Sequence, residues 1–286
     1  MPKSHAILLI SCPDQKGITA TVTDFIFRRG GNIVHADQHT DVEGRAFFMR
    51  VEWELDGFSV PRDAIAREFD PLAKRFSMDW QLYFTDTPVK TAVFVSNHLH
   101  CLYDLLFRYK SGQLPCCEIS LIISNHADAE PLAKEGGIEF LLTAVTPGQK
   151  DNAEARQMAK LQEKGIDLLI LARYHQILSG SFVQAYLNKI INIHHSFLPA
   201  FVGGSPYAQA YAKGVKIIGA TSHYVVEALD QGPIIEQDTA RIDHRYSIQD
   251  LIEIGQDLER MVLFRAVRWH LERKVLCYGN KTIVFN

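Results

Sequence analysis

The sequence predicts an α/β chain in two parts: a ferredoxin-like βαββαβ sandwich, then a Rossmann-like domain with a mostly parallel sheet. Two observations carry that reading. Between His5 and Phe84, apolar runs follow one another with the periods of strand, helix, strand, strand, helix and strand. Beyond the short polar, proline-bearing stretch Thr85-Asp86-Thr87-Pro88, apolar runs alternate with helix-length segments, the pattern of parallel strands covered on both faces. The domains are therefore expected at 1–86 and 87–286.

His5 to Ser11 is a β-rich run closed by the turn Cys12 to Gly17. Ile18, Val22, Phe25 and Ile26 then fall on one helical face before the glycine stop Gly30-Gly31. Asn32 to Thr40 and Arg45 to Leu55 form a hairpin about Asp41 to Gly44, the second strand alternating through Phe47, Met49, Val51 and Trp53. A helical pattern over Pro61 to Phe76 and a strand from Met78 to Phe84 complete the first domain. In the second, Lys90–Ser96, Cys117–Ser124, Ile138–Leu142, Ile166–Ala172 and Ile190–His194 read as strands. Ser247, followed three residues later by Asp250, starts a long helix ending near Lys274, and Val275 to Phe285 can close as a hairpin around Gly279-Asn280.

Composition narrows the functional classes. Among 286 residues, 47% hydrophobic supplies ample core material, and 30 Lys+Arg against 33 Asp+Glu leaves no basic field for nucleic acid. The five cysteines, Cys12, Cys101, Cys116, Cys117 and Cys277, show no C-x-x-C spacing and read as reduced thiols. The apolar stretch Ala6 to Ile10 is too short for a signal-peptide core, and no run approaches the ~18 residues of a membrane helix. A soluble, cytoplasmic protein is the expectation.

Two clusters carry possible chemistry. Asn192-Ile193-His194-His195-Ser196-Phe197-Leu198-Pro199 follows the strand Ile190-Ile191, where an α/β sheet places ligands. Asn192 and His194 share one side of an extended segment, and an amide with an imidazole can polarise a carbonyl and move a proton. Downstream, Thr221, His223 and Val225 are expected on one face of a strand, with Asp230 in the turn before the next. A carboxylate beside a histidine could orient it or position a water. Taken alone, a His-His pair reads as a hydrogen-bonded structural feature and Asp230-Gln231-Gly232 as an ordinary turn. With twelve histidines a metal is the rival reading, but His98-Leu99-His100-Cys101 has no second ligand group at a recognised spacing, and no metal is expected. Gly203-Gly204-Ser205-Pro206-Tyr207 fails as a nucleophile elbow because Tyr207 stands at the last glycine.

Asn192-x-His194 with Ser196 and Pro199, then Gly219-x-Thr221-x-His223-x-Val225 and Asp230-x-Gly232, resembles the formyltransferase domain of glycinamide ribonucleotide transformylases and methionyl-tRNA formyltransferases. That resemblance runs from about Lys90 to Asn286. Residues 5–85, with Asp14-x-x-Gly17 and Gly31-Asn32-Ile33, resemble an ACT domain. The combination is similar to the formyltetrahydrofolate deformylase family, which hydrolyses 10-formyltetrahydrofolate to tetrahydrofolate and formate.

The resemblance implies roles. Asn192 would donate to the formyl oxygen, His194 would stabilise the oxyanion and protonate the leaving nitrogen, and Asp230 would orient His194 or the attacking water. Gln176, Leu178, Val226 and Glu227 would hold the pterin. No metal or redox cofactor is implied, folate being the substrate. Formate would supply purine biosynthesis and balance one-carbon pools. The ACT part would pair copies into a homo-oligomer and bind an amino-acid effector such as glycine or methionine through Asp14, Gly17 and Asn32, or only assemble subunits.

The family pattern also suggests the acceptor. The ribonucleotide enzymes carry a glycine-rich phosphate loop after the first strand, where this chain reads Ser96-Asn97-His98-Leu99-His100-Cys101-Leu102. Loss of a phosphate site with the formyl chemistry kept leaves water as the acceptor; transfer to an amine is the alternative. Ser205 and Ala208 depart from the pattern, standing where a basic residue and a histidine are common.

Overall fold

The computed structural model describes residues 4–144, 148–200 and 206–285. Two compact units result: Met1–Pro88 with Arg273–Leu276 and Ile283–Asn286, and Val89–Glu272 with Cys277–Thr282. Among the described residues no helix is long and apolar enough to cross a membrane.

In the first unit the order is β1 (His5–Pro13), α1 (Ile18–Phe27), β2 (Ile33–Asp41), β3 (Ala46–Glu54), α2 (Ile65–Arg75) and β4 (Asp79–Phe84). The strands form an antiparallel sheet in the order β2-β3-β1-β4. Ile18, Val22, Phe25 and Ile26 of α1 and Ile65, Phe69 and Ala73 of α2 are buried against Ala6, Leu8, Ile10 and Cys12, one alternating face of β1. α1 stops because Gly30 turns at φ 75 and the amide of Gly31 returns to the carbonyl of Ile26 at 3.0 Å. Pro61 to Phe76 is not one helix: a 3₁₀ turn over Arg62–Ala64 precedes α2.

The chain's last residues behave differently from the expected partition at 86/87. Segments 273–276 and 283–286 cluster with the first unit. The cause is packing: Leu276, Ile283 and Phe285 cover Leu9, Ala46 and Phe48 on the other face of the sheet, and Arg50 donates to the carbonyl of Arg273 at 3.0 Å. Covered on both faces, β1 is buried almost along its length rather than at alternate residues.

The second unit runs β5 (Val89–Val95), α3 (His100–Lys110), β6 (Cys117–Ser124), α4 (Glu130–Gly136), β7 (Glu139–Leu142), α5 (Lys150–Lys164), β8 (Leu168–Leu171), α6 (Gly180–Ala185), β9 (Ile190–His194), α7 (Pro206–Lys213), β10 (Ile217–Tyr224), β11 (Ile234–Arg241) and α8 (Ile248–Leu271). The hairpin β12 (Val275–Tyr278) and β13 (Lys281–Val284) closes the chain. The seven-stranded sheet has the order β11-β10-β9-β8-β5-β6-β7, parallel from β9 to β7 and antiparallel at β9-β10 and β10-β11. Side chains of Ala92, Phe94, Leu121, Ile123, Leu169 and Leu171 form its buried interior. The α8 start is a capping box: Ser247 Oγ accepts from the amide of Asp250, whose carboxylate accepts from the amide of Ser247. Ser205 lies outside the described residues, and Ala208 is exposed on α7.

Candidate active site

The parallel strands deliver their carboxyl ends to one edge of the sheet, and β9 carries the first polar cluster there. β10 lies antiparallel on β9, setting His223 opposite Asn192 and Thr221 opposite His194. Val225 is not part of that strand: β10 ends at Tyr224, and the Val225 amide instead donates to the carbonyl of Ile190 at 2.9 Å.

The register builds a chain of contacts. Asn192 Nδ2 lies 3.2 Å from His223 Nε2, and His223 Nδ1 lies 2.9 Å from the carbonyl oxygen of Tyr224. A carbonyl only accepts, so Nδ1 carries the proton, and in the neutral ring Nε2 accepts from the Asn192 amide. That fixes the orientation of the amide. Behind it, Thr221 Oγ1 donates to the carbonyl of Ser196 at 2.9 Å and accepts from the amide of Leu198 at 3.0 Å, tying down the segment that follows His194.

Asp230 enters from the loop between β10 and β11, in a left-handed turn at φ 55. Its Oδ2 is 3.3 Å from His194 Nδ1 and its Oδ1 is 3.7 Å from His223 Nε2. The imidazole of His194 holds the carboxyl well below the usual carboxylate range. With Nδ1 facing Asp230, His194 Nε2 is buried with no hydrogen-bond partner among the described residues. A buried ring nitrogen left open beside a cavity is suited to a ligand.

Gly232 explains why the loop can return so closely. A Cβ there would stand 1.7 Å from the carbonyl oxygen of Tyr224. Gly232→Ala is expected to push the loop off β10 and carry Asp230 away from His194, lowering both melting temperature and turnover. Unchanged thermal unfolding and activity in the purified variant would refute that packing argument.

These groups face a cavity of about 300 Å³. Its walls are the strand end Asn192–His195, the loop 173–178 after β8, and residues between His223 and Asp230. Asn192, His194 and Asp230 line it together with Gln176, Leu178, Val226 and Glu227. Ile177 and Leu229, both largely exposed, add apolar surface to the same walls. An apolar pocket with a few convergent polar groups is the usual form of a small-molecule site. His223, expected near Asp230 from its two-residue step after Thr221, lines the same walls.

The effector set does not come together within the chain. Asp14 and Gly17 are exposed at the Pro13 end of β1, where the Asp14 amide donates to the carbonyl of Arg45. Asn32 donates from Nδ2 to Glu54, the register partner of His5 at the opposite end. At about 3.3 Å per residue those ends are roughly 26 Å apart.

A second cluster was hidden from the sequence. Glu259 of α8, 1% exposed, accepts from Tyr207 Oη at 2.6 Å and hydrogen-bonds His100 Nε2 at 2.7 Å. Gly255 makes this possible, since a Cβ there would lie 2.1 Å from Tyr207 Oη. His100, Cys101 and Glu259 could in principle share a metal ion. Arg173 Nε stands 3.5 Å from the carboxylate and burial holds the Cys101 thiol protonated, so the group is a poor cation site.

The Formyl transferase family model matches residues 89–267 and the ACT domain model matches residues 6–60. The chain is 50% identical over 285 residues to a formyltetrahydrofolate deformylase of Synechocystis sp., covering 100% of both. The crystal structure of a formyltetrahydrofolate deformylase from Pseudomonas syringae pv. tomato is similar with a TM-score of 0.97 and 42% identity, covering 100% of this chain and 96% of that one. Glycinamide ribonucleotide transformylase 1 of Symbiobacterium toebii is similar over 72% of this chain and 98% of its own, with a TM-score of 0.65 and 30% identity.

Proposed function

The chain belongs to the formyl transferase family, among its formyltetrahydrofolate deformylases, and from that premise we propose that Asn192, His194 and Asp230 carry the hydrolysis of 10-formyltetrahydrofolate. One observation supports the assignment above all. Asp230 takes one nitrogen of His194 while the other stays open beside the Asn192 amide, in a pocket that an amide-like carbonyl can enter.

The steps follow from those groups. Water oxygen attacks the formyl carbon, and the carbonyl pair moves to oxygen. The oxyanion accepts from Asn192 Nδ2 and from His194, donors set before the charge develops. The C–N bond then breaks with its pair on nitrogen, which takes a proton through His194. Asp230, ionised under all ordinary conditions, holds that imidazole and accepts from the incoming water. Formate leaves as the anion, so each turnover consumes one water and releases one proton. None of these steps calls for a metal or a redox cofactor. Gln176, Leu178, Val226 and Glu227 hold the pterin against the apolar wall.

The ACT part is the pairing and effector module of this reading. Because Asp14 and Gly17 stand at one end of the sheet and Asn32 at the other, an amino-acid site using all three has to lie between two copies.

The test is formate release in buffer free of amines. Formate and tetrahydrofolate are expected in equal amounts, with one proton per turnover, and both are expected to vanish in His194→Ala. Folate bound without formate release, and turnover restored by an added amine, would establish a transferase instead.

A further inference from the structure

The seven-stranded order has its switch point between β5 and β8, where the chain leaves for β6 and β7 on one side and returns on the other. Ligands of open α/β sheets bind in the crevice at such a point. The loops there are laced together: the Ser96 amide donates to the carbonyl of Arg173 at 3.2 Å, and the His175 amide donates to Ser96 Oγ at 3.1 Å. Between them and α8 opens a second cavity, of about 380 Å³. It shares Arg173, His175 and His195 with the catalytic cavity, so the two adjoin.

Arg173 is the group there that needs explaining. It sits at φ 63, a left-handed conformation that glycine adopts freely and a residue with a Cβ resists. Its side chain is 11% exposed, and Nε is buried without a hydrogen bond. The nearest carboxylate oxygen, on Glu259, is 3.5 Å away and already bound by His100, while Tyr207 holds the other oxygen. Among the described residues nothing accepts a hydrogen bond from the guanidinium. Burial first and then the charge of Arg173 push the His98, His175 and His195 imidazoles down, His195 to about 3. The walls therefore offer the His98, His175 and His195 rings around one guanidinium whose fork is unfilled, with the Glu259 carboxylate beside it already taken by His100 and Tyr207. A guanidinium fork matches a carboxylate, and its field opposes an ammonium.

We infer that this second cavity is a carboxylate site, and that the carboxylate it takes is the formate released in the adjoining pocket. The inference rests on the hydrolytic reading only for the source of the ligand. It gives the anion a way off the reacting centre separate from the folate, and it explains a cavity beside the formyl site that does not suit an amine acceptor. A carboxylate could also come from the glutamate end of the substrate, and the test separates the two.

Binding of ¹³C-formate is followed by NMR on the folate-free, full-length protein. Wild type is expected to bind it, and Arg173→Gly, which relieves the backbone, is expected to bind at least tenfold more weakly while remaining folded by circular dichroism. Asn192→Ala, altered only in the catalytic pocket, is expected to keep formate affinity. Absence of binding in wild type, equal binding in Arg173→Gly, or loss in Asn192→Ala would overturn the proposal. Displacement of formate by 4-aminobenzoylglutamate but not by acetate would assign the site to the substrate's glutamate end and overturn the formate assignment. Because no turnover is involved, failure here is distinct from failure to release formate from 10-formyltetrahydrofolate.

Discussion

Asp230→Asn is expected to lower turnover by about 10² to 10⁴, the usual worth of a positioned acid–base group, with folate binding retained. The amide keeps the shape of the carboxyl and the left-handed turn, in which asparagine is well tolerated. What it removes is the negative charge 3.3 Å from His194 Nδ1 and 3.7 Å from His223 Nε2. His194 then loses the partner that orients it, and the water loses its acceptor. Equilibrium folate binding and single-turnover formate release, measured on the same preparation, check both halves. Turnover within threefold of wild type would remove Asp230 from the mechanism.

The same substitution has a stability signature with a definite sign. The folded carboxyl titrates lower than an unfolded aspartate, at about 3.9, so the charged form is the one that folding favours. Its contribution is full above that unfolded value and is lost as pH falls below it toward the depressed folded value. Wild type is therefore expected to be more stable than Asp230→Asn at neutral pH, the gap narrowing in acid. Denaturant unfolding at pH 7 and near pH 3 measures it. A gap that widens in acid would mean that the carboxylate is not held by His194.

The sequence made some of this site legible because the relevant spacing was local. Asn192 and His194 are two apart in a strand, so their common side follows from the pleat alone. The approach of Asp230 required the register of β10 on β9 and a loop closing through Gly232, neither of which a single strand encodes. Glu259 reaches His100 across 159 residues of chain, and no spacing rule could pair them. In the first unit the sequence marked β1 as a strand, but not that Phe285 and Leu276, more than 260 residues on, cover its second face. Asp14 and Asn32 lie a strand length apart in the first unit, a separation set by the βαβ path between them that their closeness in sequence does not reveal.

Asn192→Ala is the sharper test of the oxyanion, since the loss should fall on kcat alone. In the resting site the Asn192 amide is spent on His223 Nε2 at 3.2 Å, with its second N–H free for the pocket. A formyl oxygen is a modest acceptor in the bound substrate and a strong one once the tetrahedral adduct carries its charge. The donor is thus worth most in the transition state, and removing such a donor costs about 10² to 10³ in rate. KM is expected to stay within about threefold, because uniform binding is little changed. The fold does not depend on the side chain: Ser222 Oγ donates to the Asn192 carbonyl at 2.9 Å, and β10 keeps its register through the backbone. A matched rise in KM with kcat intact would mean that Asn192 only holds the substrate, leaving His194 as the sole oxyanion donor.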